Sequence, residues 1–318
     1  MYIRYTLINK EGFNYMLKKL CITLICMLCI LVYHATRVLA DNSTTTSTST
    51  ESEWTTTEGD RQLIDENGNP MVGWKFINGS WYYLKENGQV HKGWLDLGQY
   101  HYYFNNSGVM LTGWQFIDGH WYFFADGGPR MSGWQFINNY WYYLDPANKD
   151  AMVTGLLHLN GHTYYLRTSG EKAPTGSMMS NEYLALNGYL YHFAESGFKD
   201  YEKNINDIIN LAKSFVGNTP YVYSGESPSG FDCSGLVKYC YGISQRTTYT
   251  QQTLGTHRYD VWNAPAGALY FWGSETAPYH VAIALGGGQT VQAMNVNDGI
   301  KVIGISSYMP SYYIVIGQ

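Results

Sequence analysis

The sequence predicts an α+β domain at the C-terminal end of the chain, preceded by an all-β solenoid of stacked hairpin repeats. Three observations carry this expectation. Gly-Trp pairs return every twenty residues, at Gly73-Trp74, Gly93-Trp94, Gly113-Trp114 and Gly133-Trp134, and Gly155-Leu156 follows after twenty-two. From Tyr201 to Val216, Ile205, Ile208, Ile209, Ala212 and Phe215 form one apolar helical face. Beyond a second helical stretch that starts near Cys233, the remainder reads as short strands, and helix before sheet is the α+β order. Aromatic residues are unevenly spread, most of the 30 Tyr and 10 Trp lying before residue 200 or in the last strands. That asymmetry indicates two modules with different purposes.

Taken in order, Lys18-Lys19 precede an apolar run from Leu20 to Tyr33, and Val38-Leu39-Ala40 is the small-residue pattern before a signal-peptidase cut. Residues 1–40 are therefore expected to be a signal peptide and the protein to be secreted. Met16 is an alternative start, since the lead before it is long. The apolar run is shorter than the roughly 20 residues that span a bilayer, so no membrane attachment is expected after cleavage. Cys21, Cys26 and Cys29 leave with the signal, and Cys233 and Cys240 remain. Seven residues apart on a helix, they are separated by about 10.5 Å along its axis, beyond the roughly 7 Å Cα separation of a disulfide. Two free thiols in an exported protein suit a Gram-positive surface. Cleavage also leaves fifteen basic residues against twenty-four acidic ones, a net charge of −9. Bulk electrostatics then exclude attachment to nucleic acid or to an anionic wall. Wall binding needs a specific site.

Residues 41–68 are expected to be a linker. The stretch to about Glu58 is Ser/Thr-rich, with too little apolar surface to bury a core, and Trp54 is isolated in it. Residues 69–198 are expected to hold the repeats. A second motif keeps their beat: Trp81-Tyr82-Tyr83, His101-Tyr102-Tyr103, Trp121-Tyr122-Phe123, Trp141-Tyr142-Tyr143 and Thr163-Tyr164-Tyr165. Turn signals such as Asn78-Gly79 and Asp118-Gly119 lie between the two motifs, so each unit reads as a β-hairpin that needs stacked neighbours to be stable.

Residues 199–318 form the second module. Gly217-Asn218 ends its first helix, and strands are expected over 267–272, 280–285, 290–295, 301–305 and 312–316, with Gly286-Gly287-Gly288 as a hairpin turn. Cys233 stands where a loop becomes an apolar helix, in Phe231-Asp232-Cys233-Ser234-Gly235-Leu236-Val237. Asp232 or Ser234 can cap that helix, and its free N–H groups favour an anion, so a lowered thiol pKa is expected. His280 and Gln292, on successive antiparallel strands, offer a base and an orienter. A Gly-rich phosphate loop with Lys, His-Glu-x-x-His and Cys-x-x-Cys are all absent from the sequence, and no metal or cofactor is expected.

The combination of Thr219-Pro220-Tyr221-Val222-Tyr223-Ser224-Gly225, the Cys233 segment and His280-Val281-Ala282-Ile283 resembles the NlpC/P60 family of cell-wall cysteine peptidases over about residues 199–318. The resemblance implies a papain-like α+β fold with Cys233 as nucleophile and His280 as base. It puts Gln292 in the third place, where His is commoner, and sets the Tyr221 hydroxyl near the thiol to assist the oxyanion or substrate, with Tyr223 as a rival. A Gln carbonyl can accept from the imidazole but supplies no charge for an imidazolium. Pro265-Ala266-Gly267 replaces the family's usual Gly-Asp, a structural carboxylate lost.

The repeat pattern resembles the choline-binding or cell-wall-binding repeats of streptococcal surface proteins, some relatives of which bind glucans. Trp faces can box a quaternary ammonium, each ring contributing roughly 0.5–2 kcal/mol. Trp74, Trp81 and Trp94 would make one cage, and Trp114, Trp121 and Trp134 another, with Trp141 a further candidate; cages that rely on His101 or Leu156 would be poorer. Several weak sites on one polymer act by avidity.

The expected function is a secreted, wall-associated peptidoglycan hydrolase of a Gram-positive bacterium or its phage. Its partners would be peptidoglycan stem peptides and choline-substituted teichoic acids. By resemblance the cleaved bond joins D-isoglutamate to the diamino acid. The alternatives are an N-acetylmuramoyl-L-alanine amidase and a catalytically inactive wall-binding adhesin.

Overall fold

The computed structural model describes residues 54–57 and 60–318. The expected signal peptide, and the expected linker up to Glu53, lie outside the described residues. Strands β1 (Trp54–Thr57) and β2 (Asp60–Leu63) pair antiparallel, Trp54 opposite Leu63, within the segment whose composition reads as linker. The Arg61 guanidinium lies 4.0 Å from the Trp54 ring centroid, and Leu63 is buried. Composition hides this hairpin because β1 is mostly Thr, β-branched yet polar, and β2 is Asp-Arg-Gln-Leu, with one apolar residue.

From Gly73 onward the hairpins follow the sequence period. The pairs are β3 (Gly73–Ile77) with β4 (Ser80–Leu84), β5 (Gly93–Leu97) with β6 (Tyr100–Phe104), β7 (Gly113–Ile117) with β8 (His120–Phe124), and β9 (Gly133–Ile137) with β10 (Tyr140–Asp145). Asn78 and Gly79 both have positive φ, 50° and 78°, as a two-residue turn whose twist suits a hairpin requires. Each Gly-Trp ring packs on the second strand of the next hairpin. Trp74 lies 4.8 Å from Tyr102, Trp94 5.2 Å from Tyr122, Trp114 4.8 Å from Tyr142 and Trp134 4.9 Å from Tyr164. Backbone bonds tie the same neighbours, Met110 N–H donating to Trp81 O and Arg130 N–H to His101 O. Burial supplied by the neighbour is what stabilises a two-stranded sheet.

The short β11 (Ala151–Met152) joins β10, and β12 (Gly155–Leu159) pairs with β13 (His162–Leu166). A three-stranded sheet follows, of β14 (Glu182–Leu186), β15 (Tyr189–Phe193) and β16 (Lys199–Asn204). β16 begins at the expected module boundary, 198/199, yet pairs with β15 of the preceding module. The first helix is consequently shorter than the apolar pattern suggests: α1 runs Ile205–Ser214, with the Asn204 side chain accepting from Asn206 N–H as its N-cap.

The C-terminal module is α+β. The ribbon of β17 (Glu226–Ser227) and β18 (Gly230–Phe231) leads into α2 (Cys233–Tyr241), and α3 (Thr248–Gln251) follows. Then comes an antiparallel sheet of β19 (Leu269–Ser274), β20 (Ala277–Gly286), β21 (Gln289–Ala293), β22 (Ile300–Gly304) and β23 (Tyr312–Ile314), ordered β22-β21-β20-β19-β23. Alternation along the strands makes two cores. Leu269, Phe271, Val281, Ile283 and Val291 pack on Ile208 and Ala212 of α1 and Leu236 and Val237 of α2. Tyr270, Trp272, Ala282 and Ala284 form the second core with Val261, Tyr313 and Val315. The modules are joined by backbone and side chain: Ala185 N–H donates to Ile316 O, and the Lys203 ammonium to Cys240 O.

Candidate active site

Asp232 positions the nucleophile candidate by capping α2. Its Oδ1 accepts from Gly235 N–H at 2.6 Å, and Arg246 grips both its oxygens, Nη1 to Oδ1 at 3.0 Å and Nη2 to Oδ2 at 2.7 Å. The carboxylate is thus spent on the cap and on Arg246. Gly235 has a steric reason as well, since a Cβ there would sit 1.9 Å from Gly225 O. The loop before α2 can therefore close tightly over the first turn, where Cys233 is half-buried.

His280 comes from β20 and is buried. Its Nε2 lies 2.6 Å from Gln292 Oε1 on β21. The amide is held in turn: Gln292 Nε2 donates to Thr290 Oγ1 at 3.0 Å, and that hydroxyl donates to Ile303 O at 2.8 Å. Because the Thr290 proton goes to the carbonyl, Thr290 must accept from the amide nitrogen, which aims the amide oxygen at His280. The imidazole then carries its proton on Nε2 and its lone pair on Nδ1.

Cys233 and His280 line one cavity of about 210 Å³ with Tyr221, Tyr279, Met294 and Tyr308. Tyr221 is brought there by a parallel bridge to Phe231, whereas Tyr223 is 85% exposed. Of the two tyrosines the sequence offered, only Tyr221 lines this cavity. Gln292 does not line it and is linked to it by its bond to His280. Tyr308 stacks on Trp272 at 4.8 Å, and the Trp272 ring lies 5.1 Å from the imidazole.

This wall sets the protonation of the pair. Burial pushes the Cys233 thiol up, against the backbone N–H groups of Val281, Ser234 and Cys233 that would stabilise its thiolate. The expectation of a lowered thiol pKa is corrected here: desolvation outweighs the helix N-terminus. Burial likewise pushes His280 below its ordinary value, opposed by the bond to Gln292. Both shifts favour the uncharged forms, thiol and imidazole. Tyr221 and Tyr308 are held protonated by burial, as donors. Cys240 is free, buried and pushed up to about 12, so it is inert.

Residues 218–317 match the model of the NlpC/P60 family. They are an NlpC/P60 domain. Residues 93–132 and 111–154 match a choline-binding repeat, and 72–89 and 154–172 a cell wall binding repeat. Protein P54 of Enterococcus faecium is 43% identical over 110 residues, 33% of this chain and 21% of that one. Gamma-D-glutamyl-L-lysine dipeptidyl-peptidase of Bacillus cereus is 28% identical over 113 residues, 34% of this chain and 33% of that one. The structure of CbpJ from Streptococcus pneumoniae TIGR4 is 30% identical, covering 47% of this chain and 52% of that one, with a TM-score of 0.42. The chain thus spans about a fifth of the length of Protein P54 and a third of the Bacillus cereus peptidase.

Tyr279, Met294, Tyr308, Trp272 and Thr290 complete the surroundings of the NlpC/P60 domain's site, and sequence reading missed them. Thr290 had a signal, because it is two residues from Gln292 on one strand and so on the same face. Tyr308 had none, lying between β22 and β23 outside any periodic pattern.

Among the repeats, the structure brings Trp74 to Trp81 at 6.1 Å, Trp114 to Trp121 at 6.4 Å and Trp134 to Trp141 at 6.5 Å, each pair edge-on. The ring that packs on each Gly-Trp residue from the next hairpin is a tyrosine, Tyr102, Tyr142 or Tyr164. Trp94 packs on Tyr103, Tyr122 and Phe124 instead of standing beside Trp74 and Trp81, and the Arg130 guanidinium lies 5.0 Å from its centroid.

Proposed function

We propose that the protein is a secreted peptidoglycan hydrolase, a cysteine endopeptidase of wall stem peptides tethered by its hairpins to choline-bearing teichoic acids. The observation that carries the catalytic reading is the cavity shared by Cys233 and His280, with the imidazole fixed by Gln292 in the tautomer that leaves Nδ1 free to accept a proton.

In this mechanism His280 Nδ1 takes the thiol proton as Cys233 Sγ attacks the amide carbon. The oxyanion is held by the Cys233 N–H, with the Tyr221 hydroxyl as a further donor. Collapse breaks the C–N bond, and the imidazolium gives its proton to the leaving amine. A water deprotonated by His280 then hydrolyses the thioester. The favoured bond joins D-isoglutamate to the diamino acid at position three, in keeping with the name of the Bacillus cereus relative.

For the hairpins, the supporting observation is a periodic row of exposed rings: Trp81, Trp121 and Trp141, flanked by Phe76, Phe116 and Phe136. Folding leaves these apolar faces in water, as a surface for a ligand does. Their quadrupoles suit a quaternary ammonium.

The test is mass spectrometry of fragments released from peptidoglycan by the purified protein, with Cys233→Ala as control. Muramyl dipeptides ending in D-isoglutamate establish the endopeptidase. Intact stem peptides freed from muramic acid indicate an amidase, and no release from several wall types indicates a binding protein alone. Retention on a quaternary-amine resin with elution by choline tests the anchor, and retention unaffected by choline excludes it.

A further inference from the structure

One hairpin breaks a packing rule that the others keep. The residue after a hairpin that bridges back to its second strand is Val90, Met110, Arg130, Met152 or Met178, opposite Leu84, Phe104, Phe124, Leu144 and Leu166. Above this position the next repeat sets a glycine of positive φ. An added Cβ on Gly108, Gly128, Gly176 or Gly197 would come within 2.2 to 2.5 Å of Val90, Met110, Met152 or Met178 respectively. Gly108, Gly128 and Gly176 stand two residues before the next residue of the series, Met110, Arg130 and Met178. Over Arg130 that place belongs to Asp150, two residues before Met152, with φ 59° where other repeats use glycine.

Both exceptions serve one contact. Arg130 Nε donates to Asp150 Oδ2 at 2.9 Å, Nη2 lies 2.8 Å from the same oxygen, and the two side chains are only 10% and 13% exposed. The guanidinium carbon lies 5.0 Å from the Trp94 centroid and 5.8 Å from that of Tyr122. Trp94 is also the Gly-Trp residue without a tryptophan partner on its second strand, among the four described Gly-Trp hairpins. His101 stands where the others have Trp81, Trp121 and Trp141, and Asp96 stands where they have Phe76, Phe116 and Phe136. His101 Nδ1 and Asp96 Oδ1 are paired at 2.5 Å.

We propose that Arg130 is a built-in ligand of the Trp94 cage. Its guanidinium takes the place on the aromatic faces that an external quaternary ammonium takes in the three hairpins with Trp pairs, so the second hairpin binds no free cation. This rests on the cage reading of the repeats proposed above. An internal cation loses no translational freedom on docking, and evicting it would strand the buried Asp150 carboxylate. A weak external cation therefore cannot displace it. The hairpin instead holds its neighbours in register, between repeats that are free to bind.

Equilibrium dialysis of the full chain against choline counts the sites. His101→Trp restores the missing ring but leaves Arg130 in place, and is expected to bind no more choline than the wild type. The triple variant with His101→Trp, Arg130→Met and Asp150→Gly, which copies the Met–Gly pair of the other repeats, is expected to bind one more equivalent. A gain in His101→Trp alone, or none in the folded triple variant, overturns the proposal. A direct readout on the wild type needs neither variant nor choline binding elsewhere. The Arg130 Nε–H resonance is expected upfield of free arginine from the Trp94 ring current, slow to exchange and unmoved by choline. A resonance at the free-arginine position in fast exchange overturns the internal ligand even if choline proves not to bind the other hairpins, an outcome that would by itself refute only the cage reading.

Discussion

The hairpins and the NlpC/P60 domain use the same residue types in opposite ways. In the hairpins Trp81, Trp121 and Trp141 are 43%, 42% and 37% exposed, while Trp272 of the C-terminal domain is 2% exposed and stacked between Tyr308 and the second core. An exposed ring leaves its face open to solvent, and each of these three hairpins carries one separately. The buried ring instead packs against one imidazole, 5.1 Å between centroids. The difference predicts that damage to the repeats will be graded and damage to the domain close to all-or-none.

The largest break expected in that comparison is Cys233→Ala, which should lower peptidoglycan hydrolysis by at least about a thousandfold, as loss of a nucleophile does. Retention on walls should be unchanged, measured by pull-down with insoluble peptidoglycan carrying its teichoic acids. Gln292→Leu should lower kcat by roughly a hundredfold, because it frees the imidazole to take the wrong tautomer. Thr290→Val, which unlocks the amide at one remove, should cost about tenfold or less. The pH profile separates a positioning role from a purely structural one. His280 must be neutral to act, and burial holds its pKa below 6.5. The rate should therefore rise with pH through a midpoint below 6.5 and be flat above it on this limb. Gln292→Glu sets a charge beside Nε2–H, favours imidazolium and should move the limb upward.

Asp232→Ala is expected to cost roughly 2 kcal/mol of stability, about half from the lost cap and half from the lost paired bonds to Arg246, which keeps only Glu226 and Ser234 as side-chain partners. Thermal melting of the variant should show the loss, with the aromatic signal of the hairpins unaltered. Such a change reaches the thiol without touching it, because Asp232 sets where α2 begins.

Period and alternation made much of this legible in advance. The Gly-Trp beat placed four hairpins, and the alternation around His280 and Gln292 placed them on neighbouring strands. What failed to show depended on burial. The helix N-terminus at Cys233 was visible, but the desolvation that raises its thiol comes from surroundings assembled by separate segments, among them Tyr308 between the last strands. The β1–β2 hairpin was hidden by its Thr-rich composition, and β16 by polar residues on an edge strand. Arg130 carries no signal in the sequence, because only the fold brings Asp150 and Trp94 to it.

The smallest expected effect sharpens the comparison from the other side. Trp121 is exposed and meets Trp114 and Phe116 at 6.4 and 5.3 Å. Its removal should leave the buried Tyr122 and Phe124 of the same strand in place, so the stack should melt as before. One aromatic wall contributes roughly 0.5–2 kcal/mol to a bound cation, so Trp121→Ala should weaken choline at one site by a few-fold to thirtyfold. On a polymer with many cholines, the remaining Trp pairs keep the chain tethered and lift the local concentration at the lost site. Wall retention should then fall less than the single-site affinity, and kcat toward soluble stem peptides should not change. If instead Trp121→Ala abolished retention, the repeats would be acting as one composite surface, and the contrast with the NlpC/P60 domain would be lost.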